Sequence, residues 1–332
     1  MRIVSKAPCR VDMAGGTLDI WPLYLFHKNA VTLNFAVDRY ASCVIESRDD
    51  ARIVLRSHDL GGEETFESLE ELSDAKAYRL PLLAHLVKFF APATGLNLST
   101  DSEAPAGAGI AGSSTLIVAA STALNCFTGR GYSLEKRREI SQNIEAQIIR
   151  VPTGAQDYYP AMYGGVCAIE LRESGIERHC VKVDPEDLNE RFVLAYTGSP
   201  RNSGINNWEV MKAHIDGDTS VHRNFDRISV IANAMRTALE RADWTEVARL
   251  LREEWAHRKQ NAPKISTPLI DELMNAANQA GCVGAKVCGA GGGGCVLFLV
   301  ERGAKEKVAE VIRAGGGTVI DTRVAARGVS VN

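Results

Sequence analysis

The chain has 332 residues, 45% of them hydrophobic and 24% charged, the balance of a globular protein long enough for two domains. Its formal net charge of -3 gives no global attraction to nucleic acid or to an anionic membrane surface. MRIVSKAPCR carries no apolar signal-peptide core, no apolar run is long enough to span a bilayer, and the eight cysteines show no C-x-x-C spacing, which together predict a cytoplasmic protein with reduced thiols.

Residues 31–45 (VTLNFAVDRYASCVI) are rich in β-branched and aromatic types and predict a strand. A short strand is predicted at 52–57, before the Gly61 and Gly62 break, then a helix at 80–90 and a strand at 97–102. A Gly-rich loop follows at 105–115. Residues 115–127 are apolar on nearly every face, the pattern of a buried helix. Ser133 is a good N-cap for a helix running to about 149, which the stretch 154–157 breaks before a strand at 164–171. The polar stretch 183–191 (VDPEDLNER) sets the expected boundary between a domain of residues 1–187 and one of residues 188–332. Beyond it the pattern predicts a strand at 192–197, a long helical stretch from 224 to 259 and a helix at 267–281. A second glycine run at 289–294 leads into an apolar strand at 295–300, and a helix and a final strand finish the chain. This order fits two α+β domains better than regular βαβ alternation.

The first loop, APAGAGIAGSST, contains G-x-G-x-x-G at Gly107, Gly109 and Gly112. A dinucleotide-binding fingerprint needs an apolar strand before the loop and an acidic residue about 20 positions on. Here polar residues (LNLSTDSEAP) precede the loop, and a turn-like stretch, 126–132, stands where the acidic residue should be. A P-loop needs lysine where Ser113 stands. What survives is the physics both share: glycines let backbone N–H groups approach an anion, and the following helix supplies its positive end. Ser113 and Ser114 add hydroxyls suited to a phosphate oxygen or to Mg²⁺. A glycine-rich turn that only lets a helix pack tightly has the same residues, and the loop alone leaves both readings open. The second run, CGAGGGG, precedes a strand and so cannot cap a helix. Four consecutive glycines cost entropy on ordering, which predicts backbone held against a ligand or against the other domain. His58, His85, His179 and His214 show no partners in the pattern, and no His pair completes a zinc motif.

Three segments together resemble the GHMP kinases, the family of galactokinase, homoserine kinase, mevalonate kinase and phosphomevalonate kinase. KAPCRVDMAGGTLD at 6–19 is similar to the family's N-terminal A-P-G-R-V segment, and PAGAGIAGSST to its P-x-G-x-G-L-x-S-S-A loop. KVCGAGGGGCV at 286–296 is similar to its K-x-S-G-A-G-G-G-G signature. The resemblance implies the two-domain α+β GHMP kinase fold, with ATP and Mg²⁺ bound in the cleft between domains. On it, Pro105, Gly107, Ala108, Gly109, Ile110, Ala111, Gly112, Ser113 and Ser114 hold the triphosphate. Glu145 and one serine, Ser113 or Ser114, take the metal, and Asp157 in GAQD is the catalytic base. The loop has one residue more than the commonest form, which leaves the choice of serine open. Gly16 and Thr17 replace the Glu-His of galactokinase and argue against galactose. The AGG-plus-aspartate start, the GAGIAGSST loop and GAQDYY look closer to sugar 1-kinases acting on D-glycero-D-manno-heptose 7-phosphate.

Phosphoryl transfer rests on positioning and charge neutralisation. Asp157 is expected to orient the acceptor hydroxyl and take its proton, with Arg10 holding that aspartate ionised or neutralising the transferring charge. Asp19 either accepts hydrogen bonds from sugar hydroxyls or caps a helix before Trp21. Gly16, Thr17, Gly291 and Gly292 complete the expected substrate site. Arg201 in TGSPRNSG is a candidate grip on a substrate phosphate, and Lys6 either contacts phosphate or faces solvent. The expected reaction is ATP-dependent phosphorylation of a sugar or sugar phosphate, foremost the anomeric hydroxyl of a heptose 7-phosphate. The alternatives are a kinase of another hexose or of a mevalonate-like alcohol, and a catalytically silent sugar- or nucleotide-binding regulator on the same fold. No nucleic-acid or membrane partner is expected.

Overall fold

The computed structural model describes residues 1–198 and 203–332. The first part of the chain forms β1 (Arg2–Ala14), β2 (Val31–Ser47), β3 (Ile53–Ser57), β4 (Gly62–Phe66), α1 (Leu69–Asp74), α2 (Pro81–Phe90) and β5 (Leu96–Ser102). It continues through α3 (Gly112–Thr128), α4 (Leu134–Ile149), α5 (Tyr158–Tyr163), β6 (Val166–Arg172) and β7 (Gly175–Cys180). The second part comprises α6 (Pro185–Asn189), β8 (Phe192–Tyr196), α7 (Ser203–Ile215), α8 (Thr219–Glu240), α9 (Trp244–Lys259) and α10 (Pro268–Asn278). It ends with β9 (Cys282–Val287), β10 (Cys295–Val300), α11 (Lys305–Ala314), β11 (Thr318–Ile320) and β12 (Ser330–Val331). None of the described helices is long and apolar enough to cross a membrane.

The first sheet runs β12-β1-β2-β5-β3-β4, with β6 and β7 attached beside β2. The 17 residues of β2 make this possible: its start pairs with β6 from Val31 to Phe35, and its end pairs with β5 from Ala41 to Ser47. The second sheet runs β11-β8-β10-β9 and is antiparallel. The domain division we propose at 187/188 falls inside α6, just before the second sheet begins at Phe192. The last residues return to the first sheet, where Val331 pairs with Ser5 and Val324 bridges Val37.

The apolar run after the first glycine loop forms α3, buried continuously from Ser114 to Leu124 and packed on β1 and β2. Ser133 caps α4 by accepting the Lys136 N–H at 3.2 Å. The expected single helix over 224–259 is instead two, α8 and α9. Ala242 takes a left-handed φ of 53°, and the Asp243 carboxylate accepts the Glu246 N–H at 3.0 Å to start the second. No glycine or proline marks this break; packing of α8 along α9 in a shared core decides it. That core joins the two sheets. Phe35 of β2 meets Phe192 of β8 edge to face, centroids 5.1 Å apart at 64°, a pair contributing about 0.5–1.5 kcal/mol beyond its buried area.

Candidate active site

A cavity of about 380 Å³ opens beside the start of α3. Ala111 precedes this 17-residue helix in a left-handed conformation (φ 63°) and no side chain caps it. The first-turn amides and the positive end of the helix therefore face the cavity, an arrangement suited to phosphate. Pro105, Gly107, Ala108, Gly109, Ala111, Gly112, Ser113 and Ser114 all line it. Ile110 does not: it is fully buried, and its carbonyl accepts the Arg10 N–H at 3.1 Å, which pins the loop to β1.

The second glycine run folds against the first. A Cβ on Gly294, at φ 78°, would stand 2.7 Å from the Ala108 carbonyl oxygen, so only glycine fits. The neighbouring Cys295 N–H donates to that same oxygen at 2.6 Å. The excess glycine thus lets the second run lie against the first at Gly294. Gly289 and Ala290, rather than Gly291 and Gly292, reach the cavity. Gly291 packs on Ile265, whose carbonyl would lie 2.6 Å from an added Cβ, and the Gly292 N–H donates to the same carbonyl at 2.8 Å.

Asp157 stands at the N-terminus of α5 but makes no capping bond there. Its Oδ1 instead accepts from Arg10 Nε at 2.9 Å and Nη2 at 2.6 Å, while Arg10 Nη1 donates to the Gly109 carbonyl at 2.8 Å. One guanidinium thus ties the aspartate to the first glycine loop. Arg10 is 2% exposed; burial works against its charge, but Asp157 and then Asp12 outweigh that and raise its pKa above the ordinary value. The Asp157 side chain keeps 26% exposure, toward the cavity it lines.

Glu145, on α4, is 7% exposed and accepts from the Ser114 hydroxyl at 3.0 and 3.2 Å and from the Tyr158 hydroxyl. Burial raises its pKa against the pull of those hydroxyls. Ser114 is buried against Glu145, whereas Ser113 is exposed at the cavity wall.

Asp19 lines the cavity without capping a helix. Its Oδ2 accepts the Gln156 N–H at 2.9 Å, and its buried Oδ1 has no partner among the described residues. Burial, with Asp157 nearby, pushes its pKa up to about 7. The glycine of GAQD is explained here: a Cβ on Gly154 would lie 1.9 Å from Asp19 Oδ2. Thr17 lines the cavity, while Gly16 sits behind it with its carbonyl accepting Arg258 Nη2 at 3.0 Å. Lys6 lies outside, 3.9 Å above the Tyr40 ring, and Arg201 falls outside the described residues.

The sequence reading missed a buried frame behind these groups. Asp12 and Lys286 are both 0% exposed and form an ion pair, and Asp12 Oδ2 also accepts the Gly289 N–H at 3.0 Å. Burial alone would raise the Asp12 pKa; Lys286, Arg258 and Arg10 reverse this and take it down to about 2. Arg258 pairs with the buried Glu254 on α9, with Nε at 2.9 Å from Oε1. The available signal was Lys286, the one charged residue inside the otherwise apolar strand β9.

Family models match two stretches of the chain, "GHMP kinases N terminal domain" over residues 76–165 and "GHMP kinases C terminal" over residues 235–317. The D-glycero-alpha-D-manno-heptose 7-phosphate kinase of Campylobacter jejuni is 28% identical over 345 aligned positions, covering 98% of each chain. The L-fucokinase/L-fucose-1-P guanylyltransferase of Bacteroides fragilis is 26% identical over 90% of this chain, which matches 34% of that longer protein. Among solved structures, a D-glycero-D-manno-heptose 1-phosphate kinase from Bacteroides thetaiotaomicron superposes with a TM-score of 0.78 at 23% identity, covering 99% of this chain and 98% of that one. Lactococcus lactis galactokinase complexed with galactose gives 0.76 at 18%, covering 99% and 95%. A two-domain α+β fold around such a cleft is that of an ATP-dependent small-molecule kinase. The chain belongs to the GHMP kinases.

Proposed function

We propose that the protein transfers the γ-phosphoryl group of ATP to the anomeric hydroxyl of D-glycero-D-manno-heptose 7-phosphate. The observation that carries the transfer chemistry is Arg10, which joins Asp157 to the Gly109 carbonyl and so sets the acceptor carboxylate beside the phosphate loop. Both Arg10 bonds to the aspartate end on Oδ1, and we assign Oδ2 to the substrate hydroxyl, whose proton it accepts. The amides at the start of α3 bind the phosphates, and the apolar side chains of Leu60, Leu82 and Ile149 along the same cavity hold the base. The unpartnered Oδ1 of Asp19 bonds a sugar hydroxyl.

The hard oxygens of Ser114 and Glu145, 3.0 Å apart beside the phosphate loop, fit Mg²⁺ and would hold it. When bound, the ion supplies charge neutralisation on the phosphate oxygens. The choice of sugar is supported by the match to the Campylobacter jejuni heptose 7-phosphate kinase over nearly the full length of both chains. On sequence grounds Arg201 is the cation for the existing phosphate.

The test is kcat/KM, with ATP, over heptose 7-phosphate, the unphosphorylated heptose, L-fucose, galactose and mevalonate. Heptose 7-phosphate is expected to lead by at least tenfold, about 1.4 kcal/mol. Arg201→Ala should reduce that lead, because a charge-assisted contact contributes about 1.5–3 kcal/mol. Equal use of the phosphorylated and free heptose, or a preference for L-fucose, rejects the heptose 7-phosphate assignment.

A further inference from the structure

His27 ends the 3-10 turn Leu23–Phe26, His214 lies at the end of α7, and His222 lies in the first turns of α8. The sequence reading left His214 without a partner because these residues are not spaced as a motif. The turn from α7 into α8 brings the rings of His214 and His222 into a stack, centroids 3.7 Å apart at 26°. The His27 ring approaches His214 edge-on at 5.0 Å, with the two Nε2 atoms 2.8 Å apart. One nitrogen of each of the three rings lies within 4.8 Å of one nitrogen of each of the others.

Oxygen acceptors fix the proton on two of the three rings. Asp226, one helical turn beyond His222, faces His27 Nδ1 at 2.8 Å, so that nitrogen carries the proton and Nε2 is left as a donor to a metal. His222 Nε2 faces the His214 carbonyl at 2.9 Å, which puts its proton there and its lone pair on Nδ1. His214 then donates Nε2–H to His27, and its own buried Nδ1 has no partner among the described residues. Phe26 and Phe225 flank the rings at 5.4 and 5.6 Å and supply an apolar shell.

We propose that His27, His214 and His222 form a site for a divalent transition-metal ion of the Zn²⁺ class, separate from the phosphotransfer cleft, with Asp226 orienting His27 from behind. Imidazole nitrogens suit such ions, and a carboxylate behind a ligating histidine is the usual supporting arrangement. In tetrahedral geometry with bonds of about 2.0–2.1 Å, two ligand nitrogens sit about 3.3 Å apart. The two Nε2 atoms, at 2.8 Å, part by about half an ångström as an ion replaces their shared proton, and the His222 ring turns out of its stack on His214 to face the ion. The ion would fasten the segment that carries Thr17 and Asp19 to α7, which carries Asn207, and all three residues line the cavity. Its role is to position the substrate end of the cleft.

The experiment uses the full chain, stripped with a chelator and titrated with Co²⁺ in excess Mg²⁺, so that the oxygen ligands of the cleft do not take the probe. One Co²⁺ per chain with the visible absorption of a four-coordinate ion, displaced by Zn²⁺, is the expected result, together with a higher Tm in Zn²⁺. His222→Asn should abolish that binding. Asp226→Asn, at a side chain that is 65% exposed and so tolerant of change, should weaken it about 10–100-fold while leaving the metal-free Tm near that of the unmutated protein. His85→Gln, on α2, should leave it unchanged. Absence of a stoichiometric ion, or Co²⁺ binding that survives both His222→Asn and Asp226→Asn, overturns the proposal.

Discussion

Asp12 and Lys286, 274 residues apart in the chain, form a fully buried ion pair that joins β1 to the strand leading into the second glycine loop. The same aspartate accepts the Gly289 N–H, so the pair sets the height of that loop over the cavity. Removing one partner leaves a charge in a dry interior. Asp12→Ala should therefore cost about 3–5 kcal/mol in urea unfolding, and adding Lys286→Met should recover most of the loss. A single variant of unmutated stability would contradict the role assigned to the pair.

Asp157 and Glu145 should fail differently. Asp157→Asn keeps the shape of the side chain and its place beside Arg10 but removes the carboxylate proposed as the base. It should lower kcat by about 10²–10⁴-fold with ATP affinity nearly unchanged. Glu145→Gln should raise the Mg²⁺ concentration needed for half-maximal rate, with excess metal restoring part of the activity. Near-normal turnover in Asp157→Asn would rule it out as the base.

Gly109 has φ 76°, a conformation that a β-branched residue adopts only with strain, and its carbonyl is the one Arg10 holds. Gly109→Val should weaken ATP binding at least tenfold, about 1.4 kcal/mol, in a variant whose circular dichroism matches that of the unmutated protein. Calorimetric titration with ATP decides the matter, and an unchanged Kd removes this loop from the nucleotide site.

Asp19 gives the ligand-free protein a pH-dependent stability. Its pKa is raised from about 4 unfolded to about 7 folded, so between these values the native state holds a proton that the unfolded chain has lost. The contribution is fully present below pH 4 and disappears as pH rises through 7. The stability of the unmutated protein minus that of Asp19→Asn should therefore fall across this window, on the order of 3–4 kcal/mol in total. Urea unfolding of both proteins at several pH values measures it; a flat difference would falsify the buried, protonated carboxyl.

The features legible in the sequence were those written in local backbone chemistry. Glycine spacing announced two loops with special conformations, the apolar run after the first announced α3, and Ser133 announced the start of α4. The three motifs in order carried the family and include Arg10 and Ser114; the resemblance they establish pointed to Glu145 and Asp157, and the fold gathers all four around one cavity.

Hidden from the sequence was everything set by a partner far along the chain. The break between α8 and α9 carries no glycine or proline; the packing of two helices in the inter-sheet core determines it. Gly154 reads as a turn residue until Asp19, 135 positions earlier, is found against it; Gly291 and Gly292 read as ligand-facing until Ile265 is found beneath them. Asp12, Lys286 and Arg258 look like surface charges, and His27, His214 and His222 look unrelated. A charge or an imidazole acquires its state from the groups that surround it in space, and the chain crossings between the two sheets alone bring those groups together.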